Sequence, residues 1–537
     1  MTLYTRLPCT CLSRRHATGV LAALSLLPAW ALAQPGPADT STSARAGLPA
    51  LGDAGAMTPL QERKLGDAIA RELYRDPAYL DDAVLGEYVD GLWRALLAGA
   101  RARGELPAEL AERYAWQVLL GRDASINAFA LPGGYFGLHT GLVGAVSTRD
   151  ELASVLAHEM THITQRHIPR LLSQQARQTP LLLAAMVLGA IAASKNPQAG
   201  SAVMVGGQAA LAQQQLNFSR DMEREADRIG YGILTQAGFS PQGFVSMFEK
   251  LQNASRINDN GDWPYLRSHP LTTQRIADMQ QRQQTLPRQS ATPDVPMQLV
   301  AARARVLGRP GVDVLRAWAS EPAQAGFASL PLPRRAAALY AGALAQAQLR
   351  ELPRAQALAA QLAALQAAQP TDAGMAHAAA LGRLLQAELA LQAGDAARAL
   401  TWLPEGGSPA AAEGQTGRAA LLLRAQALMG AGRASEASTA LQAWVATHPH
   451  DAGAWQSLAQ ARHAQGQTLR ALRAEGEVPM ARMDYAGAVD RWRAAQDHSR
   501  RHLGDNAERI EASIIDTRLR AAQEALKQQQ EDEIKRR

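Results

Sequence analysis

Residues 147–162 read Ser-Thr-Arg-Asp-Glu-Leu-Ala-Ser-Val-Leu-Ala-His-Glu-Met-Thr-His. Thr148 and Glu151 have the spacing of a capping box, so the sequence predicts that a helix begins here. Leu152, Val155 and Leu156 then fall on or near one helical face. We expect that face to anchor the helix in a hydrophobic core.

The predicted helix carries residues that suit a metal. His158 and His162 are four positions apart and project from the same face, so their imidazoles can share one Zn²⁺. Glu159 lies one step around the helix, where it can accept a proton from a water beside the metal without binding the metal itself. A helix with two surface histidines and a solvated acid is the alternative.

A catalytic zinc site usually has three protein ligands, so one more is needed. His167 is one residue short of the position that a metzincin would use, and we expect it to be a surface or capping residue. A second predicted helix begins after Ser219 and carries Glu223 and Asp227 on one face. One carboxylate can bind zinc while the other orients a ligand imidazole. Periodicity alone does not rank Glu223 against Glu225.

The two stretches together resemble a known family. His158–His162, Phe218–Arg220, Glu223 and Ala226–Asp227 are similar to the motifs of the gluzincin metallopeptidases of the HtpX and CAAX prenyl protease type. The export signal and repeats described below make the periplasmic branch of that family, whose members enhance β-barrel assembly, the nearest likeness. The resemblance implies one Zn²⁺ per chain, with Glu223 as the third ligand and Asp227 supporting a ligand from behind.

The family also has a downstream His-Pro motif, which matches Ser268–Pro270, with Arg275 following. The resemblance implies that His269 approaches the zinc as a conditional fourth ligand and holds a resting state. His269 as a donor to the transition state is the alternative. Either His269 or Arg275 is then a catalytic candidate for steadying the oxyanion.

A substrate-binding edge is predicted before the histidine helix. Residues 114–120 have a strand composition, and residues 126–130 and 135–138 flank the turn 132–134. A hairpin beside the active-site helix presents an edge onto which an extended peptide can add as a strand. A purely structural hairpin is the alternative. Residues 127–134 resemble the family's substrate edge, and the substrate-binding candidates in it are Asn127, Ala128, Phe129 and Ala130.

Residues 171–216 separate the two predicted metal-binding helices. They contain the apolar run Leu181–Ala193, which is too short for a membrane span, and the pair Gly206–Gly207. We expect a lid over the zinc with the glycines as a hinge. Peripheral contact with a membrane or a hydrophobic client is the alternative.

The first 33 residues have the pattern of an export signal. Arg14 and Arg15 precede the apolar run 17–30, and Ala31–Ala33 is a small-x-small cleavage pattern. We therefore expect cleavage after Ala33 and a periplasmic location, by general secretion or by a twin-arginine route, with an uncleaved anchor as the alternative. Residues 34–57 are predicted to be a flexible lead-in.

Composition excludes several classes of function. The two cysteines of the chain, Cys9 and Cys11, both lie in the signal, so the mature chain is predicted to have no disulfide, thiolate metal site or cysteine nucleophile. The net charge is +6 for the full chain. Removing residues 1–33, with Arg6, Arg14 and Arg15, leaves 52 − 49 = +3. This balance does not favour nucleic-acid binding.

With 537 residues, the chain is predicted to have more than one domain. The predicted fold is mainly α: an α+β metallopeptidase domain with a small β-hairpin sheet over 58–290, then an α-helical tetratricopeptide-like repeat domain over 296–537. Equivalent turns at Glu351, Asp395, Arg433 and Asp484 are 44, 38 and 51 positions apart, against 34 in regular repeats. The array is therefore degenerate or carries insertions such as 471–482, and an Ala-rich helical bundle is the alternative.

Taken together, these patterns predict a periplasmic zinc endopeptidase. By resemblance, it degrades unfolded or stalled proteins, in particular outer-membrane β-barrel precursors, assists their assembly, and contacts the β-barrel assembly machinery through its repeats. The alternative from another class is a tetratricopeptide-like scaffold or chaperone with a latent or structural metal site. An inner-membrane quality-control protease would need long apolar spans, which the sequence does not show.

Overall fold

The computed structural model describes residues 57–174, 219–257, 264–284, 294–370, 372–403, 417–502 and 506–536. The predicted export signal, all but the last residue of the lead-in 34–57, and the predicted lid with Leu181–Ala193 and Gly206–Gly207 lie outside the described residues. The described residues all lie within one compact unit.

The first part of the described chain is mostly helical around a small sheet. Its helices are α1 (Pro59–Arg75), α2 (Ala83–Ala102), α3 (Ala108–Arg113), α4 (Thr140–Ala145), α5 (Arg149–Thr164), α6 (His167–Gln174), α7 (Arg220–Gln236), α8 (Gln242–Ile257), α9 (Pro264–Ser268) and α10 (Thr273–Gln284). The strands are β1 (Gln117–Gly121), β2 (Ala128–Leu131) and β3 (Tyr135–His139).

The sheet has the order β1-β3-β2, which leaves β2 at an edge of it. Strands β2 and β3 pair antiparallel across a 3₁₀ turn at Pro132–Gly134, and this confirms the predicted hairpin. Gly133 has a φ of 72°, and a Cβ there would lie 2.9 Å from the carbonyl oxygen of Glu62. The turn therefore needs glycine both for its backbone and for the close approach of α1.

Helix α5 begins where the sequence predicts, because the Thr148 hydroxyl accepts from the backbone N–H of Glu151. The other half of the capping box is replaced: the Glu151 carboxylate accepts from Ser147 N at 2.6 Å and from the Lys250 ammonium at 2.7 Å. Leu152, Val155 and Leu156 lie in the hydrophobic core as expected, and the burial extends around the helix, since every residue of α5 from Glu151 to Thr164 is buried. Helices α2, α7 and α8 and strand β2 surround it.

The second part of the described chain is all helical. Its helices are α11 (Val295–Leu307), α12 (Val312–Ser320), α13 (Leu332–Gln348), α14 (Leu352–Ala367), α15 (Ala373–Gln392), α16 (Ala396–Trp402), α17 (Arg418–Gly430), α18 (Ala434–Thr447), α19 (Ala452–Ala464), α20 (Thr468–Ala481), α21 (Tyr485–Arg501) and α22 (Asn506–Arg536). From α13 onward, successive helices pack against each other. Together with the small sheet, they confirm the predicted mainly α fold class.

The helical array has one turn that the sequence reading missed. Gly466, with a φ of 70°, ends the turn before α20, so Gln467 is the equivalent of Arg433, 34 positions earlier. The expected insertion at 471–482 is instead most of helix α20, which packs between α19 and α21. Asp484 begins the next helix of the array, and this explains the long interval that the sequence showed.

Ion pairs join the two parts. Arg303 of α11 donates to both carboxylate oxygens of Asp82, at 2.8 and 2.6 Å, and to Glu388 of α15 at 2.8 Å. Arg418, at the start of α17, pairs with Asp81 at 2.8 Å and with Asp451 at 2.9 Å. One hydrophobic core runs through both parts. Within the described residues, no helix is both long and apolar enough to cross a membrane.

Arg303→Met tests this junction. It would leave Asp82 and Glu388 without their buried partner, so we expect it to lower the free energy of unfolding by about 3–5 kcal/mol at pH 7. Burial would raise the pKa of Asp82, but Arg303 holds it below its ordinary value. The stabilisation is therefore complete above about pH 4 and is lost as the pH falls through the lower folded-state pKa. The difference between variant and wild type should shrink under acid.

Urea unfolding as a function of pH is the measurement. Arg354→Met is the matched control, because Arg354 is 71% exposed and reaches Glu351 only at 4.0 Å. A variant at position 303 that unfolds like this control at pH 7 would contradict the expected contribution of the junction.

Candidate metal centre

Four side chains capable of binding a metal converge in the interior. His158 and His162 come from α5, Glu223 from α7 and His269 from the residue after α9. Each is 2% exposed or less. One ligand atom from each lies within 4.8 Å of the others. The structure thus brings together side chains that the sequence places more than 100 positions apart.

The crossing of α5 and α7 sets this geometry. A Cβ on Gly230 of α7 would lie 3.0 Å from the carbonyl oxygen of Ala157, so the missing side chain lets the two helices approach closely beside His158. Ser219 caps α7 by accepting from Met222 N, as the sequence predicted. Glu223 therefore enters the site from the first turn of α7.

The donor set fits a divalent cation. Nε2 of His158 and Nε2 of His162 are 3.1 Å apart, and the Glu223 carboxylate lies 3.5 Å from each. Burial alone would lower the pKa of His158, but hydrogen bonds and charge from Asp227 and Glu223 raise it to about 9. The centre therefore stabilises positive charge, and two imidazoles with a carboxylate are ligands that zinc prefers.

The structure separates the two glutamates that periodicity left unranked. Glu223 faces both histidines of α5, whereas the Glu225 carboxylate lies 3.1 Å from Nε2 of His167. Asp227 approaches His158 from the other side, with Oδ1 3.0 Å from Nδ1. A carboxylate only accepts, so Nδ1 of His158 carries a proton, and Nε2 is the ring atom that faces the centre and that a metal would bind in place of a proton.

Arg275 holds the carboxylates of α7. Its guanidinium donates to the two oxygens of Asp227 at 2.6 and 2.8 Å and lies 2.7 Å from Glu223. Burial would raise the pKa of Asp227, but this cation keeps it below its ordinary value. These contacts support a structural role for Arg275, which holds the carboxylates of Asp227 and Glu223 in place. An action of Arg275 on an oxyanion stays a prediction.

Glu159 is fully buried beside the cluster. Its Oε2 accepts from the backbone N–H of Ala130 at 2.9 Å, and its Oε1 lies 3.3 Å from Nε2 of His269. Burial raises the pKa of the Glu159 carboxyl. A carboxyl that is held in place and has a raised pKa suits proton transfer.

His269 lies at the centre of the site. Its Nδ1 is 2.9 Å from Oε1 of Glu223 and 3.4 Å from Nε2 of His158. Its ring stacks on Tyr265 with centroids 4.7 Å apart. The backbone N–H of Tyr265 in turn donates to Ile126 O at 3.3 Å, so the His269 segment is tied to the residues that precede β2.

The predicted substrate segment runs past this centre. Asn127 O accepts from His139 N at 3.1 Å, so by antiparallel alternation Phe129 also bonds to β3. The main-chain groups of Ala128 and Ala130 then point away from the sheet, and the contact from Ala130 N to Glu159 agrees with this. The outer edge of β2 therefore faces the cluster.

His167 is the residue that the sequence reading missed. It was expected to be a surface or capping residue but is fully buried, with Nδ1 2.8 Å from Nδ1 of His162. The expectation placed His167 by continuing the helical periodicity of α5. Helix α5 ends before His167, because Arg166 has a φ of 53° and turns the chain before α6 begins. No glycine marks this stop in the sequence. Burial lowers the pKa of His167 to about 4, although Glu225 opposes that shift.

Comparison with known proteins agrees with this geometry. Residues 99–283 match the model of Peptidase family M48. The chain is 37% identical to the putative beta-barrel assembly-enhancing protease of Vibrio cholerae over 254 residues, which are 47% of this chain and 50% of that protein. It is 33% identical to the beta-barrel assembly-enhancing protease of Escherichia coli over 222 residues, 41% of this chain and 44% of that protein.

A more distant relative is the mitochondrial metalloendopeptidase OMA1 of Saccharomyces cerevisiae, at 28% identity over 196 residues, 36% of this chain and 54% of that protein. The chain spans about half the length of the curated relatives it matches. The resemblance seen in the motifs is thus confirmed at the level of a Peptidase M48 domain.

Metal content tests the ligand set. We expect about one zinc per wild-type chain and loss of that zinc in His158→Ala, His162→Ala and Glu223→Ala, because each substitution removes one ligand of a three-ligand site. Elemental analysis of folded protein after dialysis is the measurement. Asp221→Ala is the control, since Asp221 lies in the same turn of α7 but is 84% exposed. Zinc retained by Glu223→Ala would exclude that carboxylate as a ligand.

Proposed function

We propose, on the premise that residues 99–283 carry a Peptidase M48 domain, that this chain is a zinc-dependent endopeptidase. The observation that carries the proposal is the position of Glu159. Its buried carboxylate lies between a cluster of two histidines and a glutamate and the edge strand β2. A proton-transfer group, a metal-binding set and a peptide-binding edge thus meet at one place.

His158, His162 and Glu223 would hold the zinc, which when bound polarises a peptide carbonyl and lowers the pKa of a water. Glu159 takes the proton from the attacking water and passes it to the leaving amine. The Ala130 N–H bonds one Glu159 oxygen and so sets the direction of the other. The fixed carboxylate serves both proton transfers without changing its position.

The outer edge of β2 suits an extended peptide. The Ala130 N–H is held by Glu159, but the main-chain groups of Ala128 and the carbonyl of Ala130 also point away from β3, so a substrate strand can pair with these by backbone hydrogen bonds. Such pairing requires a segment with unsatisfied backbone groups and selects little by side chain. Unfolded or stalled chains therefore fit the site better than folded proteins.

His269 fits the role of a resting-state ligand. Its ring contacts Glu223 and lies 3.3 Å from Glu159, so it occupies the space between the metal-binding set and the proton-transfer group. A substrate carbonyl must enter the same space. We therefore propose that His269 withdraws from the centre before cleavage.

The sequence supports the proposed cellular location, and similarity to the named relatives supports the proposed substrates. Residues 1–33 have the pattern of an export signal, which supports the periplasm. The relatives named for enhancing β-barrel assembly support outer-membrane β-barrel precursors as clients. The degradation of misfolded precursors and the contact with their assembly machinery are parts of the same proposal.

A second candidate function is an assembly scaffold. A cavity of about 2480 Å³ is lined by both parts of the described chain, including Trp116 and Tyr79 of the first part and Trp444 and Tyr485 of the second. Its lining combines aromatic side chains with many charged ones, and the aromatic side chains suit an incompletely folded client. This function would be independent of cleavage.

Glu159→Gln separates the two candidates. We expect it to keep the zinc and to lower the cleavage of an unfolded β-barrel precursor by about 10²–10⁴-fold, because the amide cannot accept the proton. The measurement is turnover of the purified precursor together with zinc content. Glu249→Gln, on the exposed side of α8, is the control. Equal turnover in wild type and Glu159→Gln would refute the peptidase, whereas folding assistance that survives in the variant would support the scaffold.

His269→Ala tests the resting state. We expect faster cleavage of the same precursor, because removing the ring opens the space beside Glu159 while the three remaining ligands keep the zinc. Initial rates at equal zinc loading are the measurement, with His450→Ala at the surface as the control. A fall in rate at full zinc content would instead assign His269 to the transition state.

A further inference from the structure

The second ligand histidine has a buried partner with no assigned role. Nδ1 of His167 lies 2.8 Å from Nδ1 of His162, and Nε2 of His167 lies 3.1 Å from Oε2 of Glu225. His167 is fully buried, and the rings of His162 and His167 meet edge to face with centroids 4.8 Å apart. Glu225, His167 and His162 thus form a hydrogen-bonded chain that ends at the candidate metal ligand His162.

The direction of the hydrogen bonds follows from the end of that line. The Glu225 carboxylate only accepts, so Nε2 of His167 carries a proton. In neutral His167 the other nitrogen, Nδ1, is then an acceptor, and the proton between the two rings belongs to Nδ1 of His162. The Nε2 atom of His162 is left with a lone pair, and this atom lies 3.1 Å from Nε2 of His158.

We propose that His167 is a positioning residue that, with Glu225 behind it, fixes His162 as the tautomer able to bind zinc through Nε2. This inference rests on the proposed metal site and deepens it. Helix α7 then supports both ligand histidines: Asp227 orients His158 directly, and Glu225 orients His162 through His167. The first residue of α6 is thereby part of the metal centre.

His167→Phe and His167→Gln form the matched test. Phenylalanine keeps a ring without nitrogen atoms, whereas the glutamine amide offers one acceptor and one donor and can rebuild both hydrogen bonds. We expect His167→Phe to weaken zinc binding by about 10–100-fold, as is typical when the partner of a ligand histidine is lost. We expect His167→Gln to recover most of that loss. The measurement is the zinc dissociation constant by chelator competition, with the melting temperature of each apoprotein.

Arg170→Met is the control, because Arg170 donates to the same Glu225 oxygen at 2.9 Å but has a side chain that is 48% exposed and takes no part in the hydrogen bonds that run from Glu225 through His167 to His162. It should bind zinc like the wild type. Unchanged zinc affinity in folded His167→Phe, or equal weakening in the Phe and Gln variants, would overturn the proposal. A wild type that binds zinc but cleaves nothing would refute the proposed peptidase and leave this inference standing. A wild type that binds no zinc would refute both.

Discussion

The site depends on a balance of buried charge. Glu159, Glu223 and Asp227 are each 2% exposed or less, and Arg275 is the guanidinium that reaches Asp227 and Glu223. With all three carboxyls ionised and the imidazoles neutral, this group has two net negative charges in a medium where an uncompensated charge is costly. A divalent cation restores neutrality, and the neutral imidazoles then bind it without adding charge. The charge balance and the donor atoms therefore favour the same occupant.

The packing follows from the need to enclose these groups. Helix α5 is buried on all sides, so its histidines reach the interior whichever way they project. Helix α7 approaches it closely at Gly230, and its first turns then deliver both a ligand and the carboxylates that orient the ligand rings. A longer residue at position 230 would separate the helices and so separate Glu223 from the histidines. The small residue is thus as necessary to the centre as the polar ones.

Local sequence patterns predicted much of this arrangement. Features that depend on contacts between distant parts of the chain were not predicted. The pair His158 and His162 and the hairpin before them depend on spacing within one element, which the sequence shows directly. Periodicity did not separate Glu223 from Glu225, because both lie on a charged helix and only its partners distinguish its faces. His167 was expected to be a surface or capping residue because its position was judged as if α5 continued past Arg166, where the chain turns, and it is instead fully buried. The turn before Gln467 does contain a glycine, Gly466. It was missed because the helical part contains many other glycines, so this one did not stand out in the sequence.

The contacts of α1 connect the helical array with the peptide edge. On one side, the Glu62 carbonyl and the backbone of Arg63 meet Gly133 in the turn between β2 and β3. On the other, the Arg71 guanidinium donates to Met483 O at 3.0 Å, in the turn between α20 and α21. Met483 itself has a φ of 59°, and its sulfur lies 3.8 Å from the Tyr135 hydroxyl at the start of β3. The helical array therefore contacts the hairpin both through α1 and directly. Because β2 also supplies the N–H that orients Glu159, one connected set of contacts joins the array to the Glu159 carboxylate.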